Sequence, residues 1–171
     1  LPGVRIASGS LGQGLSVAIG AATTKKLNND PSLVFTLHGD GELQEGQIWE
    51  AALYASAKKI DNLISTIDYN GRQIDGDVDD VISLGNLEEK WKAFGWLTLS
   101  CNGNNIKEVY KTLENAKELT GKDKPVMIIM TTEMGNGVDF MMGSHKWHGV
   151  APNDEQLQDA LSQNKETLGD Y

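Results

Sequence analysis

The chain has almost no cysteine: Cys101 is the only one, so no internal disulfide can form and the chain fits a reducing, cytoplasmic setting. A single thiol of this kind reads as a small buried residue rather than a nucleophile. No apolar run approaches the roughly 20 residues of a membrane span. The start, "LPGVRIASGS", lacks the basic region and apolar stretch of a signal peptide. It also lacks an initiator Met, which predicts a piece of a longer chain. Basic charge is in deficit. Against 24 Asp and Glu stand 15 Lys and Arg, giving a net charge of −9 and a pI near 4.7. Such a balance argues against a nucleic-acid partner or an anionic membrane surface. The acidic stretch "DGDVDD" lacks the spacing and closing Glu of an EF-hand and reads as a solvated turn. With no repeat, low-complexity segment or linker, residues 1–171 are expected to form a single domain.

What is present is a soluble, globular composition, with 39% hydrophobic and 23% charged residues in 171. Apolar and small residues recur at helical spacing from Leu11 to Leu27 (Leu15, Ala18, Ile19, Ala22), with Pro31 beyond as a stop. Leu33–His38 is a short apolar run of strand length. Gln44–Lys59 reads as a helix with Ile48, Ala51, Ala52 and Ala55 on one face. A second strand, "NLISTIDYN", ends at Asn70. A short helix over Asn86–Phe94, a strand "GWLTLS", a helix over Asn104–Leu119 and a very apolar strand "KPVMIIMTT" follow. A Gly-rich loop runs from Gly135 to Gly149, and a last helix over Asn153–Ser162 has Asn153 as its N-cap. Strands alternating with helices predict an α/β fold with a parallel sheet sandwiched by helices.

In such sheets ligands bind beyond the carboxyl ends of the strands. The residues there are distinctive. "GDGELQEG", Gly39 to Gly46, follows the first strand, and "DYNG" follows the second. Asp40 and Asn70 offer oxygen, which suits a hard cation such as Mg²⁺ or Ca²⁺ rather than zinc. Gly39 and Gly41 would let backbone N–H groups approach phosphate oxygens, with a helix N-terminus to follow. Taken singly, Asp40 reads as a helix cap and Asn70 as a turn residue. Together, thirty positions apart and after successive strands, they point to a cation and diphosphate site. His38 fills the strand end. His145 and His148 share a glycine-rich loop with Lys146.

The longer text "SGSLGQGLSVAIGAA", "HGDGELQEGQIWEAALYASAKKIDNLISTIDYNGRQIDG" and "WHGVAPND" resembles transketolase, in its diphosphate-binding domain. The wording is similar to the N-terminal subunit of split bacterial and archaeal transketolases. The resemblance implies the thiamine diphosphate-binding fold, with thiamine diphosphate and Mg²⁺ as cofactors. Asp40 and Asn70 match the side-chain metal ligands, and Arg72 matches a ligand that acts through its backbone carbonyl. Gly9, Ser10, Leu11, Gly39, Gly41, Glu42 and Ile74 match the cofactor-binding positions, Leu11 and Ile74 as apolar supports of the bent cofactor. Ser10 stands where many transketolases carry Pro. Glu45 and Glu50 match acidic residues at a subunit interface that link two cofactor sites. His148 matches a histidine facing diphosphate and substrate, so His148, Glu45 and Glu50 are the expected catalytic set.

The activity implied is transfer of a two-carbon ketol unit from a ketose phosphate to an aldose phosphate, as in the pentose phosphate pathway. The implied partner is a C-terminal transketolase chain or domain that supplies the pyrimidine-binding site, in a homo- or hetero-oligomer. Two other readings are a different thiamine diphosphate enzyme, such as deoxyxylulose-phosphate synthase, and a non-catalytic diphosphate-binding module. The Gly135–Gly149 loop is expected to be mobile and to close on ligand.

Overall fold

A computed structural model describes residues 3–164. The first helix, α1 (Gly14–Leu27), buries Leu15, Ala18, Ile19 and Ala22. It starts three residues later than its apolar spacing predicts. Gly12 lies in the left-handed region at φ +84°, so the chain turns there instead of extending the helix. Strand β1 (Val34–Gly39) follows, then a single 3₁₀ turn over Gly41–Gln44 and helix α2 (Gly46–Ala57). Helix α2 packs through the predicted face of Ile48, Ala51, Ala52 and Ala55.

Strand β2 (Leu63–Tyr69) stops one residue before Asn70. A small antiparallel hairpin, β3 (Arg72–Gln73) with β4 (Gly76–Asp77), and a short helix α3 (Val78–Ile82) come next. Neither has a sequence pattern long enough to announce it. The rest follows the expected order: α4 (Leu87–Ala93), β5 (Leu97–Asn102), α5 (Ile106–Leu119), β6 (Val126–Thr131) and α6 (Asp154–Gln163). Asn153 does cap α6: its side chain accepts from Gln156 N, and the Gln156 side chain accepts in return from Asn153 N.

The four long strands form one parallel sheet in the order β1-β2-β6-β5, with Gly39 level with Asp68 and Tyr69 level with Thr131. Because all run the same way, the ends of β1, β2 and β6 sit side by side. The face bearing Leu63, Ile67, Met127 and Ile129 packs on α1, α2 and α4, joined by the ring cluster of Trp49, Trp91, Phe94 and Trp96. The opposite face, with Ile64, Val126 and Ile128, packs on α5 through Ala116 and Leu113.

Cover is therefore uneven. Among the described residues α5 reaches β5 and β6, while on edge strand β1 Phe35 stays 49% and Leu37 68% exposed. The expected parallel sheet with helices on both faces is present, with heavier cover on the α1, α2 and α4 side than on the α5 side. No helix among the described residues is long and apolar enough to cross a membrane.

Candidate functional site

The site is built at the point where β1 and β2 end. Asp40 N donates to Asp68 O (3.2 Å), continuing the ladder one residue past the strand. The Asp40 side chain then turns inward, 2% exposed. Its Oδ1 accepts from Gly41 N at 2.7 Å and its Oδ2 from Gly71 N at 2.5 Å. One carboxylate thus caps the 3₁₀ turn and ties it to the turn after β2. Burial pushes the Asp40 carboxyl above its ordinary value, and the neighbouring Asp68 pushes the same way, against the Gly71 and Gly41 hydrogen bonds. No ion pair among the described residues includes Asp40. A desolvated carboxylate with no protein cation beside it is chemically suited to a metal ion.

Asn70 Oδ1 accepts from Arg72 N (2.8 Å), closing a tight turn in which Gly71 takes φ +72°. The Arg72 guanidinium pairs with Asp77 across the hairpin, so only the Arg72 backbone is left to serve the site. The hairpin leans on the glycine turn: a Cβ at Gly41 would lie 3.1 Å from Gln73 Cβ. Gln73 Oε1 is buried there without a hydrogen-bond partner. Sequence reasoning passed over Gln73, because nothing in a lone Gln beside Arg72 signals where its amide will point.

The glycine N–H groups differ from expectation. Gly41 N is engaged by Asp40, and Gly39 N donates to Glu42 Oε2 (3.3 Å). Both donors face the chain's own carboxylates, so these glycines contribute space more than free N–H groups. The α-helix N-terminus expected right after the motif is also displaced, since α2 begins only at Gly46. Glu42, expected at the cofactor, turns back into the chain. Its Oε1 accepts from Gly12 N at 2.9 Å and lies 3.4 Å from His38 Nδ1. Burial alone would push the Glu42 carboxyl up; His38 and the Gly12 and Gly39 N–H groups outweigh it and hold the group below its ordinary value.

The remaining positions lie on the surface around this turn. Gly9 and Ser10 are exposed, with Ser10 Oγ accepting from Gln13 Nε2 (2.9 Å). Leu11 is 57% and Ile74 68% exposed, far more than core residues would be. Ile74 sits at the hairpin tip, where its Cδ1 would be 3.9 Å from a Cβ at Gly149. The hairpin thereby meets the end of the glycine-rich loop beside His148. Glu45 precedes α2 and packs against Gly12, whose Cβ would come within 2.9 Å of Glu45 Cβ. Both Glu45 and Glu50 are exposed.

His148 is exposed too, its N donating to His145 O (2.9 Å). No hydrogen bond among the described residues links it to Asp40 or Asn70. The loop is internally braced. Phe140 and Trp147 meet edge-on with centroids 5.3 Å apart, Trp147 Nε1 donates to Phe140 O (2.9 Å), and Gly143 N donates to Glu133 Oε1 (2.9 Å). A cavity of about 260 Å³ opens beside the second turn, lined among others by Asn70, Arg72, Asp77, Asp79 and Asp80. Its lining is mixed in charge, with Asp77 paired to Arg72 and Asp79 and Asp80 beside them.

The sequence matches the family described as "Transketolase, thiamine diphosphate binding domain" over residues 1–169. It is 40% identical over 161 residues to the 6-deoxy-6-sulfo-D-fructose transketolase subunit SqwG of Clostridium sp. (strain MSTE9), covering 94% of this chain and 58% of that one. It is 38% identical over 168 residues to an apulose-4-phosphate transketolase subunit of Phocaeicola vulgatus, covering 98% and 59%. The chain thus spans somewhat over half the length of these curated relatives. Among solved structures, transketolase from Campylobacter jejuni superposes with a TM-score of 0.84 at 38% identity, over 94% of this chain and 26% of that one. With the family matched along nearly its whole length and the fold matched as well, this chain belongs to the transketolase family, as its thiamine diphosphate-binding domain.

Proposed function

We propose that this chain anchors thiamine diphosphate and Mg²⁺ in a transketolase that moves a two-carbon ketol unit from a ketose phosphate to an aldose phosphate. The observation that carries the reading is the buried Asp40 carboxylate beside Asn70 at the ends of two adjacent parallel strands. Asp40, Asn70 and the Arg72 carbonyl form an oxygen-only donor set, which suits Mg²⁺ and leaves coordination positions for phosphate oxygens. Gln73 Oε1, buried beside Gly41 without a partner, marks an acceptor that the chain itself does not satisfy.

Bound thiamine diphosphate supplies the carbanion that ketol transfer requires. The chain's own residues hold and shape. Asp40 and Asn70 fix the metal end, and Leu11 and Ile74 offer exposed apolar surface against which a bent cofactor can rest. His148 offers a hydrogen-bond donor toward negative charge that develops on substrate or diphosphate oxygens. Glu45 and Glu50 lie on an exposed stretch of α2 and its cap, open to a subunit contact that links two sites.

Two relatives carry the word "subunit" in their names, which supports a working unit with a second chain here. That chain or domain would supply the pyrimidine-binding site. The same two names concern a sulfo-sugar and apulose 4-phosphate, so the acceptor and donor need not be those of the pentose phosphate pathway. The scarcity of cysteine fits a cytoplasmic setting.

The test uses the complete protein with its complementary C-terminal chain. Calorimetric titration with thiamine diphosphate and Mg²⁺, followed by assay with a panel of ketose and aldose phosphates, should give tight cofactor binding and ketol transfer. Cofactor binding with no transfer to any acceptor would leave only a diphosphate-binding module and overturn the enzymatic part.

A further inference from the structure

We propose that Glu42, backed by His38, is a positioning residue that sets the spacing between the two backbone segments holding opposite ends of the cofactor, residues 9–12 and 39–41. The inference rests on the functional reading above and adds a role that the matching of motifs does not assign.

The geometry is specific. Glu42 Oε1 accepts from Gly12 N at 2.9 Å and Oε2 from Gly39 N at 3.3 Å, so one carboxylate bridges two segments far apart in the chain. The side chain is only 11% exposed, so water competes poorly for these donors. Gly12 is itself buried and left-handed, and a Cβ there would collide with Glu45, so only glycine brings this N–H within reach of Glu42.

Behind Glu42 runs a line of polar side chains. His38, 2% exposed, places Nδ1 3.4 Å from Glu42 Oε1 and Nε2 2.9 Å from Thr36 Oγ1. Thr36 Oγ1 in turn lies 2.8 Å from Ser65 Oγ on the next strand. Thr36 donates to Ser65 and its oxygen meets His38 Nε2, so the line runs from Ser65 to the ring, whose buried Nδ1 faces the Glu42 carboxylate at 3.4 Å without a formed hydrogen bond. It crosses a sheet face that is otherwise apolar, next to Leu63 and Ile67. Apolar side chains at 36 and 38 would pack there at lower desolvation cost. What the polar line provides is a fixed ring that keeps the Glu42 carboxylate from turning to solvent.

By the resemblance, residues 9–11 hold the aminopyrimidine and 39–41 the diphosphate. A site of this kind tolerates about 0.5 Å of looseness before binding suffers. Both Glu42 oxygens are taken up by the chain's own N–H groups, so its part in holding the cofactor is indirect. Its loss should therefore appear in cofactor affinity more than in turnover at saturating cofactor.

The experiment uses the complete protein with its complementary chain and the variants Glu42→Ala, Glu42→Gln and His38→Gln. Amide hydrogen exchange at Gly12 and Gly39 is followed without cofactor, and the Kd for thiamine diphosphate is measured by calorimetry in excess Mg²⁺. Glu42→Ala should unprotect both amides and raise Kd roughly ten- to a hundredfold, the range for losing a group that orients a ligand contact. Steady-state kcat at saturating cofactor should fall by a smaller factor.

Glu42→Gln, nearly isosteric, covers the case in which the alanine variant fails to fold. Its amide presents one oxygen and one NH₂, so the N–H group that faces the NH₂ should lose protection. His38→Gln should shift Kd in the same direction by less. Protection of both amides in Glu42→Gln would overturn the bridge, as would a folded Glu42→Ala with wild-type Kd. A wild type that binds no thiamine diphosphate would sink the functional reading, and this inference with it.

Discussion

Asp40 Oδ2 accepts a hydrogen bond from Gly71 N at 2.5 Å, so the residue just past β1 holds the turn just past β2. Metal and cofactor should therefore stand or fall together, because Asp40 and Asn70 offer too few oxygens to satisfy Mg²⁺ without phosphate. Asp40→Asn keeps the shape and removes the charge. In the complete protein it should weaken thiamine diphosphate by more than roughly 100-fold, the upper end for losing merely an outer partner of a ligand. Calorimetry with and without chelator checks this. Wild-type affinity in excess chelator would remove the metal from the site.

His148 is exposed and contributes no side-chain hydrogen bond to the loop among the described residues. His148→Ala should leave the melting temperature within a degree or two, since surface changes of this kind rarely exceed about 0.5 kcal/mol. Turnover in the complete enzyme should fall by roughly ten- to a thousandfold if one transition-state hydrogen bond is lost. Thermal melts run beside steady-state kinetics separate the two effects. A destabilised variant with normal turnover per folded molecule would make His148 a loop residue only.

Glu50 lies exposed on α2, whose outer side also leaves Leu53 60% and Tyr54 49% exposed. A charge reversal at an interface built there would leave charge buried and unpaired, which is costly. Glu50→Lys should lower the molar mass measured by light scattering at low concentration in the complete protein. An unchanged mass would place the contact elsewhere.

Asp61 is the clearest pH-dependent group away from the site. It is buried, pairs with Lys26 and accepts from Asp123 N (3.0 Å). Burial alone would raise its carboxyl, but Lys26 and the backbone donors prevail and hold it below its ordinary value. A depressed carboxyl stabilises the fold above its unfolded pKa, near 3.8, and loses that contribution as pH falls through the folded value. Asp61→Asn should cost about 1–3 kcal/mol near neutral pH, the range for hydrogen bonds to a charged group. In urea titrations at a series of pH values the gap to wild type should narrow below about pH 4. A gap independent of pH would mean that packing, not charge, carries Asp61.

Much of the fold was legible because it is written in short-range pattern. Ala18, Ile19 and Ala22 repeat at helical spacing, Val126–Met130 is continuously apolar, and Asn153 stands before α6 with Gln156 three residues on. These features act within one or two turns of the chain, so local composition decides them. The alternation of such elements was enough to require a parallel sheet, and hence to gather Asp40 and Asn70 at one end of it.

Tertiary structure alone decided the rest. The order β1-β2-β6-β5 leaves β1 at an edge and its Phe35 and Leu37 uncovered, although both read as core from their strand. Arg72 to Asp77 forms a hairpin whose strands are two residues each, too short for any periodicity to show. Glu42 matches a cofactor-binding position in the sequence, and becomes a bridge only because Gly12, just ahead of α1, is folded against the end of β1. A carboxylate's partners depend on which backbone N–H groups are brought to it from distant parts of the chain. That is set by how the sheet and helices pack, and no local pattern of residues encodes it.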